Sequence, residues 1–407
     1  MLTRRYPISI DEAQAKIENI TLHSEVETIP VTEANHRVLA ADIVAPYDYP
    51  HFDRSAVDGY AIRKADDHDY PKVFKVVGDV PAGATFDGNL GEDETTRIMT
   101  GAAMPDNADK VIMLEDTRTV DGHDDQVKVV VESPKGNVTD AGSEFHAGDT
   151  IIAKDSELNP GGLAILTSVG MTTVAVYRRP KVGIITTGTE LLAPGAPLQK
   201  GKIYNSNGIQ IPNLVEESGG VVTSNVQLVD DNDLLADALK KAIAENDIVI
   251  TDGGVSVGDY DFIGDAARDS DELLFNKIKQ RPGSVTTAFV QDNTLVMALS
   301  GNPGACFTGF YLYVEPTLRR FMHKTTRTQK ITATLAAPYH KTNGFDRILR
   351  GTFEKQADGS YNVYPNGSDY SGALANLQTT TCLIKILHST KPIDLNAEVT
   401  TWLLPFK

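Results

Sequence analysis

The segment from Ile248 to Asp261 constrains the fold more than any other part of this chain. An apolar, β-branched run of strand length passes into a turn with three glycines, and the carboxylates Asp259 and Asp261 follow at once. Apolar strands of this kind are typical of buried parallel sheets, and open α/β sheets bind ligands beyond the carboxyl ends of their strands. Glycines there let backbone N–H groups approach an anion, and neighbouring carboxylates favour Mg²⁺ as the bridge to a phosphate. The segment therefore predicts an anion-binding loop at the edge of an α/β sheet.

Two further segments repeat this pattern. The strand-like run that begins at Lys181 ends in a hydroxyl-rich glycine turn with Glu190, and the run that begins at Thr294 ends at Gly301, with Pro303 placed to open a helix. Strands alternate with helical patterns between residues 177 and 323, which favours a parallel, doubly wound sheet. We therefore expect the three loops to meet at one edge of that sheet.

The remaining sequence divides into regions with different secondary-structure patterns. Residues 9–23 read as a helix with a capping box of Ser9 and Glu12, and residues 34–41 read as a turn and a short strand. Short strands and turns follow to about residue 155, and a helix is expected at 158–170. Further along the chain, one long helix is expected at 303–322. Residues 330–407 return to strands and predict a small barrel or sandwich.

Composition limits the class of protein. A length of 407 residues predicts two to four domains. The formal charge of −17 argues against nonspecific binding to nucleic acid or to an anionic membrane. Two cysteines cannot form a disulfide framework, which favours a reducing compartment. Residues 1–11 lack the apolar core of a signal peptide, and no apolar run reaches the length of a membrane span. We therefore expect a cytoplasmic protein. The nine histidines are scattered, which predicts no zinc or iron site.

Several motifs occur together in a fixed order, and jointly they are specific although each alone is weak. They are Phe52-Asp-Arg-Ser-Ala-Val-Asp-Gly-Tyr-Ala61, Arg97-Ile-Met-Thr-Gly101, Thr187-Gly-Thr-Glu190, Gly253-Gly-Val-Ser-Val-Gly258 with Asp261, and Ser300-Gly-Asn-Pro303. This set resembles the MoeA family, the molybdopterin molybdotransferases related to the E domain of gephyrin, over essentially the whole chain.

The resemblance implies a multidomain α/β plus β fold in an elongated homodimer. Each subunit would have an N-terminal α+β domain (1–45 and 146–176), an inserted mostly β domain (46–145), a doubly wound α/β domain similar to the MogA fold (177–325) and a C-terminal β-barrel (326–407). The implied reaction takes adenylylated molybdopterin and molybdate, with Mg²⁺ as cofactor. AMP leaves, and molybdenum reaches the dithiolene sulfurs of the substrate to give molybdenum cofactor.

Carried over by position, the resemblance implies catalytic roles for Asp58, Thr100, Glu190, Asp230, Asp261, Lys277, Arg281, Arg350 and Ser371. Asp58 and Thr100 would reach the cleft of the partner subunit, and Lys277 or Arg281 would neutralise phosphate or molybdate. Residues expected to bind the cofactor are Thr187, Gly188, Gly253, Gly254, Ser256, Gly258, Ser300, Gly301 and Asn302. Glu190 and Asp261 are the expected Mg²⁺ ligands.

The chain departs from the family pattern in several places, among them Asn137-Val-Thr139, where the family has Asn-Ile-Arg, and Glu144, where it has Asp. Two further departures lie in glycine loops. The family usually has Lys-Pro-Gly-Lys-Pro where this chain has Arg281-Pro-Gly-Ser-Val285, and Pro-Gly-Asn-Pro where this chain has Ser300-Gly-Asn-Pro303. The second lysine of the first motif, an expected anion contact, is therefore Ser284, and Lys279 is a candidate to replace its charge.

Simpler interpretations stand beside these roles. Asp230 can be a helix N-cap, Asp58 a turn residue, and Lys277 a member of a solvated basic edge. Two other functions also remain open: a pterin-binding or scaffolding relative with impaired catalysis, and an enzyme that acts on another pyrophosphate. Expected partners include the molybdopterin adenylyltransferase and molybdoenzyme or chaperone acceptors, but neither nucleic acid nor membrane.

Overall fold

The computed structural model describes residues 5–254, 262–342 and 344–406. The chain divides into two compact units, one of Met1–Glu27 with Tyr177–Lys407, here called the main unit, and one of Thr28–Val176, here called the inserted unit.

The first helix of the main unit, α1 (Ile10–Glu18), confirms the predicted capping box. The Ser9 hydroxyl accepts a hydrogen bond from the Glu12 N–H at 3.2 Å, and the Glu12 carboxylate accepts one from the Ser9 N–H at 2.7 Å. Asn19 caps the C-terminus, so the helix is shorter than the predicted 9–23.

The inserted unit is mostly β, as predicted. Its strands, including those that reach its two ends, are β1 (Val26–Pro30), β2 (Ile43–Val44), β3 (Arg54–Ser55), β4 (Gly59–Ile62), β5 (Lys72–Val80), β6 (Glu94–Ile98), β7 (Lys110–Met113), β8 (Thr117–Val120), β9 (His123–Val129), β10 (Val138–Thr139), β11 (Thr150–Ile152) and β12 (Thr173–Tyr177). One sheet has the order β7-β4-β6-β5-β9-β8, and the shorter pairs are β1–β12, β2–β11 and β3–β10. Helix α2 (Pro160–Ser168) is capped by Asn159. The predicted strand at 34–41 is absent, because Val38 and Leu39 form only isolated bridges.

The main unit continues with an α/β region. Its elements are β13 (Lys181–Thr187), β14 (Leu191–Leu192), β15 (Ile203–Tyr204), α3 (Asn207–Glu217), β16 (Val221–Leu228), α4 (Asn232–Glu245), β17 (Ile248–Asp252), α5 (Phe262–Arg268), β18 (Glu272–Phe275), β19 (Gln280–Arg281), β20 (Thr287–Gln291), β21 (Thr294–Leu299), α6 (Pro303–Gly309) and α7 (Glu315–Phe321). Within the described residues the central sheet has the order β16-β13-β17-β21-β20-β18. The first four strands are parallel, and β20 and β18 are antiparallel additions.

Both faces of this sheet are buried, which explains the continuous apolar runs. Successive residues of β17 alternate between two cores: Ile248 and Ile250 belong to the core on the side of α3, whereas Val249 belongs to the core that contains Leu239 of α4. Helices therefore cover both faces, and the predicted doubly wound region is confirmed. The predicted single helix at 303–322 is instead interrupted, because Phe310–Val314 form a π-helical segment between α6 and α7.

The C-terminal strands close into a barrel. They are β22 (Gln329–Leu335), β23 (Asp346–Lys355), β24 (Tyr361–Pro365), β25 (Cys382–Ile386) and β26 (Glu398–Leu403). The pairing runs β23-β24-β22-β26-β25 and returns from β25 to β23, which selects the barrel over the sandwich. The short strand β19 joins β23 in parallel, with Arg281 directly opposite Arg347.

In the part of the chain that the structure describes, none of the helices combines the length and the apolar character that crossing a membrane requires.

Candidate active site

The three predicted loops meet at the carboxyl edge of the central sheet. They surround a cavity of 310 Å³, here called the acidic cavity. Its lining residues are Thr187, Gly188, Glu190, Leu191, Ile203, Tyr204, Asn205, Ser206, Asn207, Asp230, Asp252, Gly253, Gly254, Gly301, Asn302 and Pro303. The convergence that the strand pattern predicts is therefore confirmed for the described residues.

Gly253 shows why glycine is needed at this edge. Its φ is +92°, and a Cβ atom there would lie 2.4 Å from the Thr187 hydroxyl and 2.7 Å from the Thr187 carbonyl oxygen. A side chain is excluded by both strain and contact. The absence of one lets the loop after β17 pack directly on the loop after β13.

Asp230 contributes to the cavity and does not cap a helix. Its carboxylate accepts hydrogen bonds from the N–H and the hydroxyl of Thr189, at 2.9 and 3.0 Å. The neighbouring Asp231 is the N-cap of α4, since it accepts from the N–H groups of residues 233 and 234. The N-cap interpretation therefore applies to Asp231, and Asp230 lines the cavity.

Asp252 is the carboxylate that the sequence analysis missed. It closes β17, is only 3% exposed, and accepts a hydrogen bond from the Asn207 side-chain amide at 2.8 Å. Its other oxygen, Oδ1, has no hydrogen-bond partner among the described residues. Burial raises the pKa of Asp252 to about 7, and the charge of Glu190 adds to the rise while the Asn207 bond opposes it.

Asn207 joins two of the loops. Its amide nitrogen donates to Asp252 and, at 2.9 Å, to the carbonyl of Gly301, so it links the ends of β17 and β21. The only signal for it was the polar run Tyr204-Asn-Ser-Asn-Gly before a predicted helix, which does not identify a contact by itself.

A second cavity, of 300 Å³, lies on the other side of Asn302 and is here called the basic cavity. It is lined by Arg281, Pro282, Gly283, Ser284, Val285, Ser300, Asn302, Arg347, Asp369, Tyr370 and Ser371. Asn302 lines both cavities. Among described lining residues, the acidic cavity has three carboxylates and no lysine or arginine, whereas the basic cavity has two arginines and one carboxylate.

Arg350 supports the basic cavity from within the protein. It is 2% exposed, and its guanidinium donates to the Asn376 side chain and to the carbonyls of Gly304, Ser368 and Tyr370. Burial lowers the pKa of this group. These bonds order the loop that brings Ser371 to the cavity.

The two lysines lie elsewhere in the main unit. Lys277 accepts a backbone bond from Ile8, and Lys279 lies near Glu12 of α1. Neither is among the residues that line the two cavities. Lys279 therefore does not supply the charge that Ser284 lacks.

Asp58 and Thr100 form a pair within the inserted unit. The Asp58 carboxylate accepts hydrogen bonds from both the N–H and the hydroxyl of Thr100, each at 2.7 Å. These bonds lower the pKa of Asp58, so it is ionised at neutral pH.

Three predicted site residues, Ser256, Gly258 and Asp261, lie outside the described residues, as does Asp259. Within the described ranges, no group of three or more His, Cys, Asp or Glu side chains is arranged to hold a metal ion.

Comparison with known families covers nearly the whole chain. The model of the MoeA N-terminal region (domain I and II) matches residues 8–170, that of the probable molybdopterin binding domain matches 183–320, and that of the MoeA C-terminal region (domain IV) matches 332–404.

Individual relatives agree. A molybdopterin molybdenumtransferase of Staphylococcus aureus is 38% identical over 95% of this chain and 93% of its own length, and one of Staphylococcus epidermidis is 37% identical over the same shares. Two crystal structures of molybdopterin biosynthesis MoeA proteins from Pyrococcus horikoshii are similar in fold, with TM-scores of 0.82 and 0.76 at 29% and 28% identity. They cover 98% of this chain and 99% and 100% of their own. The chain thus belongs to the MoeA family of molybdopterin molybdenumtransferases.

Proposed function

We propose that this protein transfers molybdenum from molybdate to adenylylated molybdopterin, with release of AMP, at the junction of the acidic and basic cavities. One observation carries the proposal: two cavities of opposite charge share the wall formed by Asn302. A phosphate ligand that carries a bound cation suits an acidic cavity, and a free oxyanion suits a basic one. The two ligands must also lie next to each other in order to react.

The acidic cavity is the proposed site of the adenylylated substrate. A pyrophosphate cannot bind beside the carboxylates of Glu190 and Asp230 without a cation, and the described lining residues supply none. Mg²⁺ fits, because it is commonly held by one or two carboxylates together with substrate phosphates and therefore does not need a cluster of three protein ligands. Glu190 and, from the sequence, Asp261 would hold it. Bound Mg²⁺ would neutralise phosphate charge and polarise the bond to be cleaved.

The basic cavity is the proposed site of molybdate. Arg281 has no carboxylate partner among the described residues, and hydroxyls of Ser284, Ser300 and Ser371 surround the same space. Cationic and hydroxyl donors of this kind suit a tetrahedral dianion.

The assembly is proposed to be a cytoplasmic homodimer. Asp58 and Thr100 are already bonded to each other in the inserted unit, so their donors and acceptors are ordered before any contact with a second subunit. We propose that this pair completes the cleft of the other subunit, and that the adenylyltransferase and cofactor acceptors dock transiently.

The proposal is tested by molybdate-dependent AMP release and cofactor formation in a reconstituted assay. We expect Glu190→Ala and Arg281→Ala each to lower the rate by about 100-fold or more, since each removes charge stabilisation at one cavity. Asp237→Ala, at an exposed position of α4, is the matched control and should be inert.

Normal rates in both cavity variants would overturn the assignment of the site. If the unaltered protein retains adenylylated molybdopterin but releases no AMP with molybdate, the non-catalytic scaffolding function is correct instead.

A further inference from the structure

We propose that Arg347 is a substrate-binding residue of the basic cavity that supplies the cation missing at Ser284, and that Tyr339 and Asp369 are positioning residues for it. The inference depends on the proposed function only for the identity of the anion as molybdate.

Two of the three guanidinium nitrogens of Arg347 donate hydrogen bonds to described residues, and the third does not. Its Nε donates to the Tyr339 hydroxyl at 3.1 Å, and its Nη2 donates to Asp369 Oδ2 at 2.9 Å. Its Nη1 makes no hydrogen bond to any described residue. The side chain is 17% exposed and lines the basic cavity. A guanidinium fixed in this way offers a preorganised donor to a ligand.

Asp369 does not cancel the charge of this site. It also pairs with Lys341, whose ammonium lies over the Tyr370 ring. Although burial alone would raise the pKa of Asp369, hydrogen bonds from Lys341 and Tyr339 and the charge of Arg347 lower it, so the carboxylate stays ionised. Two arginines and Lys341 against one carboxylate leave two net positive charges, which matches a dianion.

The strand register gives an independent indication. Arg281 and Arg347 are direct partners across the parallel pair β19–β23, so both side chains leave the same face. Like charges directly opposite each other destabilise a sheet. Arg281 lies over the Phe345 ring and has no carboxylate partner among the described residues. An anion held between the two guanidiniums removes this repulsion. This explains why two arginines that repel each other face the same cavity.

The test is equilibrium dialysis of molybdate with the full-length protein. We expect Arg347→Gln to weaken molybdate binding by about 10- to 100-fold, as for loss of a hydrogen bond to a charged group, while retention of adenylylated molybdopterin is unchanged. Arg118→Gln, at an exposed arginine of β8, is the matched control. Fluorescence of the buried Trp402, the single tryptophan, checks that each variant of the main unit is folded.

Two further variants distinguish a binding role from a structural one. Ser284→Lys in the Arg347→Gln background restores a cation from the other side of the cavity and should recover most of the affinity. Tyr339→Phe should raise KM for molybdate and leave kcat unchanged, because it disturbs only the orientation of Arg347.

Molybdate binding by Arg347→Gln equal to that of the unaltered protein would refute the inference, and so would an unaltered protein that binds no molybdate. An unaltered protein that binds molybdate but never releases AMP would instead refute the proposed function and leave the role of Arg347 in anion binding standing.

Discussion

Asp252 combines deep burial with an incomplete set of hydrogen bonds. Asn207 satisfies one oxygen, and the other has no partner among the described residues. A buried carboxyl in this situation favours its neutral form, because only the ionised form requires full solvation. The residue lies in the wall of the acidic cavity, so its proton is close to the proposed substrate site while the side chain is almost fully shielded from bulk water.

Asp252 makes the stability of the metal-free main unit depend on pH. The folded protein keeps the proton up to about pH 7, whereas the unfolded chain releases it near 3.8, so the free energy of unfolding falls as pH rises through this window. Asp252→Asn removes this effect and should unfold at higher urea than the unaltered protein at pH 8, with a gain of up to about 4 kcal/mol.

Urea titrations in EDTA, followed by Trp402 fluorescence, measure this difference. The difference between the two proteins should shrink as pH falls and level off below about pH 3, where Asp252 is protonated in both the folded and the unfolded state. A constant difference at pH 4 and pH 8 would contradict the raised pKa. Sequence could not reveal this property, since Asp252 reads as the last residue of a strand and its hydrogen-bond partner Asn207 lies 45 positions away.

At the scale of elements, two glycines at equivalent strand ends have different roles. A Cβ on Gly253 meets the Thr187 backbone at 2.7 Å and the backbone φ is positive, whereas a Cβ on Gly301 meets nothing closer than 3.6 Å. Gly253→Ala should therefore lower the free energy of unfolding by more than about 1 kcal/mol, and Gly301→Ala should leave it nearly unchanged. Equal effects in urea titrations of the two variants would show that loop packing does not require glycine at position 253.

Elements with long periodic patterns were predictable, and short ones were not. Apolar runs and caps located α1, α4 and the four parallel strands of the central sheet, because buried faces and capped ends produce local sequence patterns. The antiparallel strands β18 and β20 were not predicted. Strand β19 has only two residues, Gln280–Arg281, and its pairing with β23 is set by packing between distant segments. The π-helical segment at Phe310–Val314 likewise has no distinct pattern, since its residues are uniformly buried.

The site was predicted in outline for the same reason. Glycine loops after strands identified the acidic cavity, and the family motifs identified Arg281 and Ser371 of the basic one. Arg347 could not be found, because only the register of β19 on β23 brings it opposite Arg281. The roles of these residues in binding or catalysis stay predictions, as do those of Lys277, Asp58 and Thr100.

For the whole molecule, the formal charge of −17 opposes the local charge of the basic cavity. At about 10 mM salt the Debye length is about 30 Å, so the entire protein repels molybdate. At about 150 mM it is about 8 Å, and mainly the arginines of the cavity act on the anion. We therefore expect the association rate of molybdate to rise several-fold between these salt concentrations, as measured by stopped flow. A steady fall with salt would show that the local cations dominate at all distances.

The pairing of β19 with β23 also determines which cavity a separate α/β module could keep without the barrel. All lining residues of the acidic cavity fall between positions 187 and 303, so a free-standing α/β module keeps that binding surface complete. The other cavity draws Arg347, Tyr370 and Ser371 from the barrel. A gene encoding only the α/β module would keep the proposed site of the pterin substrate without the proposed site of the oxyanion, so fusion to the barrel, rather than change within the module, would add the second reactant.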